Sequence, residues 1–579
     1  MKYKLKLLNI QVIFITTFIL SASTKTFSQK LFQYSGEPSI QSPNVTSLGK
    51  FGDIPVSLFT GTANINIPLT EIKNGLISVP IALQYDAGGC RPDQHPGWVG
   101  LNWNLQVGGV IRRTTNGDFD EFVHKERGAG VSYYNLYNTL ASADWKNNLV
   151  DPNNPFSRLN DRSPDEFSFT FNNISGKFIL NHEGKWIVQS KENLNLEIVH
   201  EMQSNYSVNF GSGNVIMPRS YTKFILTTGD GTKYIFGGQP NAIEFSMPAV
   251  NGSMAPHNEL LPSQSYLDLI DGWETFVQAS AWHLSEIISP SGNQVLFNYT
   301  TDFSFQQATY SEISQNWVPS TTGLLYHYTK DINLNNKYLI KSSYLDKIET
   351  NSGLVCTFSK SVSNELNWEY KQKPWTQDVL LAKPDYLCRY YKLDKIEIKT
   401  NDKTTKKITL GFIEKNTERL KLKEVKFLSL TDTQTESIYR MEYNNTLLPK
   451  YNSGLEDHWG YYNGTNYWGG VSDQYSAALP NMEDYYQSRE ANPALMQAEV
   501  IKRLIYPAGG YSEFTFEPHT YSKLVKQDPT ITLQSLNANK IAGGLRIKKI
   551  ETFDAFSTTP RVQEYFYNKN YINGEGLSS

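Results

Sequence analysis

Short runs along most of this chain alternate apolar and polar residues one for one, and a period of two commits a segment to a strand with one buried face. Ile65, Ile67 and Leu69 alternate with Asn64, Asn66 and Pro68. Asn74-Gly75 follows, and Val79, Ile81, Leu83 and Tyr85 alternate on the return. Alternation on both sides of Asn-Gly predicts a β-hairpin. Phe167, Phe169 and Phe171 open a second one, which Ser175-Gly176 is expected to turn into Lys177–Leu180. Degenerate copies then recur, with turns at Asp230-Gly231, Pro290-Ser291-Gly292, Asn351-Ser352-Gly353, Asn401-Asp402 and Pro507-Ala508-Gly509-Gly510. Each turn is chemically suited to reversing a strand. A lone hairpin is marginal in water, so these units are expected to share sheets and bury a common aromatic face.

The 35 Tyr and 29 Phe agree, since aromatic rings suit half-buried pleated surfaces. The expected fold class is therefore all-β: antiparallel hairpins stacked into large sheets, with one or two short helices in insertions. One helix is expected from Tyr133 to Leu149, after Ser132 as N-cap, and a shorter one over Pro493–Glu499. Trp98 and Trp103, in a Gly-rich stretch, are expected to pack against the first sheet.

Lys2, Lys4 and Lys6 precede an apolar run from Leu7 to Ala22, and small residues follow at Ser23 and Ser28. That order predicts a secretory signal peptide over 1–28, cleaved after Ser28. The run is shorter than the roughly 20 residues of a spanning helix. No membrane span is expected after cleavage, and the chain is read as secreted or held at the cell surface. A formal net charge of −3 gives no electrostatic footprint for nucleic acid. Cys90, Cys356 and Cys388 are too few for a disulfide framework and are taken as small buried apolar residues, though Cys356 and Cys388 could pair.

Along the chain, 29–125 reads as an N-terminal hairpin and Gly/Trp-rich segment, 126–160 as an insertion with a short helix, and 161–446 as a hairpin array. An aromatic-rich insertion occupies 447–499. Further hairpins fill 500–579 and end without a closing cap, as a truncated piece would.

Five blocks make the chain resemble the N-terminal region of Rhs/YD-repeat proteins of Gram-negative cell envelopes. They are Ser47–Gly52 with Pro55–Leu58 and Thr60-Gly61-Thr62; Trp98–Trp103 with Gly108–Ile111; Pro164–Phe169 closing at Ser175–Phe178; Asp457–Gly464; and Tyr506–Gly510 with Glu517–Tyr521 and Gly543–Arg546. The resemblance implies a large secreted or surface-attached β assembly whose partners are other domains of a longer polypeptide or cell-surface components. It also implies a hollow shell around a C-terminal payload. Regular Tyr-Asp repeats followed by Gly-Arg are missing here, so a complete enclosure is not expected of this chain alone.

Candidate chemistry is sparse. Cys90, Asp93 and His95 match no metal spacing and read as a turn held by Pro92 and Pro96. Asp457-His458 invites an acid–base reading, but no nucleophile is placed by sequence. The plainer reading has both bonding backbone while Trp459 fills the core. Asp165-Glu166 and His519 read as polar ends of strands. The expectation is no enzyme, no metal and no cofactor. Trp459, Tyr461, Tyr462, Tyr467 and Trp468 form the candidate ligand-binding set, since exposed rings with polar tips can stack on sugars. Glycans are thus the alternative partner, set against sheet-covering core packing.

Overall fold

The computed structural model describes residues 54–116, 120–121, 133, 163–201, 207–209, 214–216, 220–249, 278–308, 312–320, 323–331, 336–367, 389–430, 434–451, 453–465, 486–528, 530–556 and 559–567. Of the two units into which the chain divides, Met1–Phe51 lies outside those residues, and Gly52–Ser579 is the one described here.

The first hairpin pairs Asn64–Asn74 with Ile77–Asp86, and Trp103–Gln106 adds a third strand. Ile65, Ile67 and Leu69 are buried, and Ile72 continues the buried face out of phase. The pairing slips between Pro68 and Thr70, so one extra residue restores the side-chain phase after the slip. Trp103 is thus a member of this sheet as well as a residue packed within it, while Trp98 sits edge-on to Tyr344.

A far larger antiparallel sheet carries the rest. Gln278–Ile288 is its hub, pairing with Gly109–Thr114, Lys233–Gly237, Ile243–Ala249 and Gln294–Ala308. Ile243–Ala249 and Gln294–Ala308 both also pair with Asn336–Thr350, which closes a circuit of four strands. From there the ladder runs without a break through Leu354–Val362, Tyr391–Thr400, Lys403–Ile413, Lys421–Leu428, Thr435–Tyr443, Ile501–Ile505, Tyr511–Asp528 and Thr530–Phe553 to Arg561–Glu564. Antiparallel strands joined by a short turn are what the local alternation dictates, but longer connections separate Leu354–Val362 from Tyr391–Thr400 and Thr435–Tyr443 from Ile501–Ile505.

The expected turns at Asp230-Gly231, Pro290–Gly292, Asn351–Gly353, Asn401-Asp402 and Pro507–Gly510 each join paired strands. One expectation fails. The hairpin after Phe171 turns at Asn172-Asn173, whose φ values are 42° and 64°, and Ser175-Gly176 lie inside the strand Ile174–Leu180. A side chain at Gly176 would lie 2.3 Å from the Gln189 carbonyl and 2.5 Å from the Phe169 ring, so this glycine serves packing and not the turn. Tyr133 is helical, and the rest of the expected helix to Leu149 lies outside the described residues. The expected helix over Pro493–Glu499 is a single 3₁₀ turn, Leu495–Gln497.

One core serves both sheets, from Ile54 to Ile550. Its aromatic heart stacks Phe167 on Phe178 at 5.1 Å and sets Trp282 edge-on to Phe224 at 4.9 Å. The small sheet is fastened to the large one by long-range bonds. Leu101 N–H donates to the Leu420 carbonyl, Leu545 N–H to Gly88 and Ile547 N–H to Gly61. Trp103 Nε1 donates to Tyr443 Oη at 2.9 Å, and the Ile501 amide donates to Tyr85 Oη at 3.0 Å.

Candidate functional site

Glu456 and Tyr462 bridge, closing a tight loop that Asp457 organises from within. Its Oδ1 accepts from the amides of Trp459 at 2.8 Å and Tyr461 at 2.9 Å. Burial holds the Asp457 carboxyl above the ordinary range. Its other oxygen, Oδ2, is buried without a hydrogen-bond partner, 2.8 Å from where a Cβ on Gly543 would stand. That Cβ would also lie 2.6 Å from Trp459 Cβ and 2.9 Å from the Tyr461 ring. Gly543 therefore lets the loop lie flat on the strand Thr530–Phe553.

The Tyr461 ring is held from the opposite side by Gly89, where a Cβ would come within 2.9 Å, and by the Arg91 guanidinium, 5.0 Å above it. The result is an open groove of about 450 Å³ lined by Phe59, Arg91, Trp459, Tyr461, His519 and Gly544, among others. Phe59 is 98% exposed and Trp459 38%. Burial, with the charge of Arg546 beside it, holds His519 below its ordinary value, so it stands neutral at physiological pH. The groove can offer ring faces, one guanidinium and a neutral imidazole.

The first, fourth and fifth sequence blocks thus converge on one place. Trp459 lines the groove, correcting the expectation that it fills the core. Tyr461 forms the groove wall, and Tyr462 is half-buried against the core. Tyr467 and Trp468 lie outside the described residues. Phe59, Arg91 and Gly543 were not singled out for the groove by sequence. Asp457 and His458 do not act together: Asp457 binds backbone amides, while His458 Nε2 lies 3.2 Å from the Tyr486 carbonyl oxygen.

Among the described residues, two ionic clusters are buried. In the first, Arg113 Nη2 donates to both oxygens of Glu121 at 2.8 Å, and its Nε lies 3.5 Å from Asp165. The guanidinium also sits between the rings of Phe167, Tyr221 and Trp282, 5.1–5.4 Å from each. Asp120 and Asp165 exchange amide-to-carboxylate bonds at 2.9 and 3.1 Å. Burial pushes both carboxyls above the ordinary range, and for Asp120 the charge of Asp165 adds to it. Asp165 is wholly buried, which corrects its reading as a polar strand end. Glu166 beside it is the partly exposed partner of Lys177 at 2.7 Å.

The second cluster pins the Gly/Trp segment. Arg419 donates to the Pro92 and Pro449 carbonyls, and Lys421 Nζ bonds Glu499 at 2.7 Å. Cys90 Sγ approaches the Glu499 carbonyl at 3.8 Å. Burial, reinforced by the Glu499 charge, pushes the Cys90 thiol up to about 12. His95 stacks on Tyr390 at 3.8 Å, and burial lowers it to about 4. Cys90 and Cys356 are free and buried, so Cys356 forms no disulfide; Cys388 lies outside the described residues. Among the described residues, no group of three His, Cys, Asp or Glu side chains could hold a metal ion, and no helix is long and apolar enough to cross a membrane.

No family model and no curated protein matches the chain. Among solved structures, the crystal structure of TcdB2-TccC3-Cdc42 is similar over 90% of this chain and 22% of that one, at 11% identity and a TM-score of 0.31. The N-terminal domain of the effector protein SpvB from Salmonella typhimurium strain LT2 is similar over 63% of this chain and 98% of that one, at 10% identity and a TM-score of 0.26. The Photorhabdus luminescens Tc holotoxin pore carrying the TccC3-D651A mutation is similar over 87% of this chain and 21% of that one, at 11% identity and a TM-score of 0.29. This chain thus spans about a fifth of the first and third. Likeness at that level carries no argument about fold or function.

Proposed function

We propose that this chain is a non-enzymatic sheet platform of an exported, Rhs/YD-like protein, and that it carries or docks other parts of a longer assembly. The observation that supports this reading is where the perturbed groups lie. Cys90, His95, Asp120, Asp165 and Glu365 all depart from their ordinary values by burial, and each is packed into the joints between segments. Perturbed groups that hold backbone in place mark structure; His519, which lines the groove, stands outside this set. Asp165 holds the Asn116 and Asp120 amides, and Glu365 holds the Leu420 amide. The signal-peptide pattern at 1–28 supplies the export half of the reading.

The 54–106 sheet shares its core with the large sheet, so the two are expected to unfold together. Urea denaturation of the full chain, followed by tryptophan fluorescence and far-ultraviolet circular dichroism, is expected to give coincident transitions. Separate melting of the 54–106 sheet would overturn the platform.

The exposed rings of Phe59 and Trp459 in the groove favour a second reading, a glycan-binding module. Selective glycan-array binding that is lost in Trp459→Ala, Tyr467→Ala and Trp468→Ala would establish it in place of a passive platform.

A further inference from the structure

The two longest paired strands, Tyr511–Asp528 and Thr530–Phe553, leave the sheet as an arm. Near the body they bury Phe514, Phe516, Leu545, Ile547 and Ile550. Beyond that, none of the described residues from Lys523 to Ile541 is buried. Pairing with other strands is confined to 511–513 on one side and 549–552 on the other. The six residues from Lys523 to Asp528 alone extend on the order of 20 Å.

The tip is apolar on one face. Val525 pairs directly with Leu533, and Ile531 lies two residues along from Leu533, on the same side of the pleat. These three are 68%, 62% and 75% exposed. The arm from Lys523 to Ile541 also carries Lys523, Lys526 and Lys540 against one acid, Asp528, although the whole chain has a net charge of −3. Lys523 and Lys540 are exposed.

We infer that this tip docks on an anionic lipid bilayer, with Val525, Ile531 and Leu533 entering the interface and the exposed Lys523 and Lys540 meeting the headgroups. Three aliphatic side chains supply on the order of 300 Å² of apolar surface. A stable protein interface takes about 800 Å² per partner, so a second copy of the chain is a poor match for so small a patch. A bilayer needs only shallow insertion and opposite charge, and both are here. The two tip strands bond to each other, and their outer edges would stay at headgroup level, where water satisfies them.

Flotation of the full-length purified protein with phosphatidylcholine–phosphatidylserine vesicles tests this. The wild type is expected to float with these vesicles, to float much less with phosphatidylcholine alone, and to be released by salt. The Val525→Asp/Ile531→Asp/Leu533→Asp variant is expected to partition at least about tenfold less. Ile531→Ser/Leu533→Ser serves as a milder second variant, and both are expected to keep the wild-type circular dichroism and Tm because the side chains are exposed. Failure of the wild type to float, or equal flotation of both variants, overturns the inference. A concentration-dependent dimer in light scattering that the variants abolish, without flotation, assigns the tip to a second copy and overturns it as well.

Discussion

Arg113→Met removes the one cation that the described residues bring to a buried cluster. The Arg113, Glu121 and Asp165 side chains are 1%, 3% and 0% exposed. Methionine keeps much of the volume among Phe167, Tyr221 and Trp282 but leaves Glu121, Asp120 and Asp165 without compensation. Breaking a buried ion pair by removing one partner costs about 3–5 kcal/mol, and that loss is expected at alkaline pH. The wild-type baseline itself has a sign. Asp120 and Asp165 are raised by burial, so the folded chain binds their protons more tightly than the unfolded chain. The pair's contribution is fully present below about pH 4, where the unfolded carboxyls also protonate. It is lost as pH rises through the raised folded values. Without the guanidinium those values rise further, so the variant's deficit shrinks as the carboxyls protonate under mildly acidic conditions. Urea midpoints read by tryptophan fluorescence across a pH series measure both effects. A deficit below about 1 kcal/mol at alkaline pH, or one that does not change with pH, would refute the reasoning.

Three further outcomes are expected. Gly543→Ala forces a Cβ to within 2.6 Å of Trp459 Cβ, so it should cost about 1–3 kcal/mol by thermal melt and shift the tryptophan emission. Asp402→Gly relieves a φ of 63° in a turn that already has Asn401 at 49°, and should raise stability by about 0.5–1 kcal/mol in urea titration. Burial holds the Cys90 and Cys356 thiols up at about 12, so no more than one of the chain's three cysteines should react with a thiol reagent at pH 8 (a routine labelling condition, roughly the free thiol's own pKa) before unfolding.

The hairpins were legible because both of their signals are local. Side-chain alternation and turn residues lie within a dozen positions, and the long ladder follows from repeating them. The turn at Asn172-Asn173 was misplaced because Ser175-Gly176 looks equally turn-like, and only the Phe169 ring lying over Gly176 distinguishes packing from reversal. Aromatic density located Trp459 and Tyr461. It could not find Phe59, Arg91 or Gly543, which reach the same groove from opposite ends of the sequence. Nor could it find the Arg113 cluster, because a buried carboxylate and an exposed one are written alike. Burial is decided by sheets whose strands meet only in three dimensions.

The bond from the Ile501 amide to Tyr85 Oη joins positions 416 residues apart. At ordinary synthesis speeds the second partner emerges roughly 20–80 s after the first. The turn end of the opening hairpin meets Gln294 and Asn351 earlier, through Asn74, but its Tyr85 end waits throughout that interval for Ile501. Late closure of this kind slows folding and exposes the nascent chain to aggregation. It also keeps the polypeptide threadable, which would suit the export route proposed above.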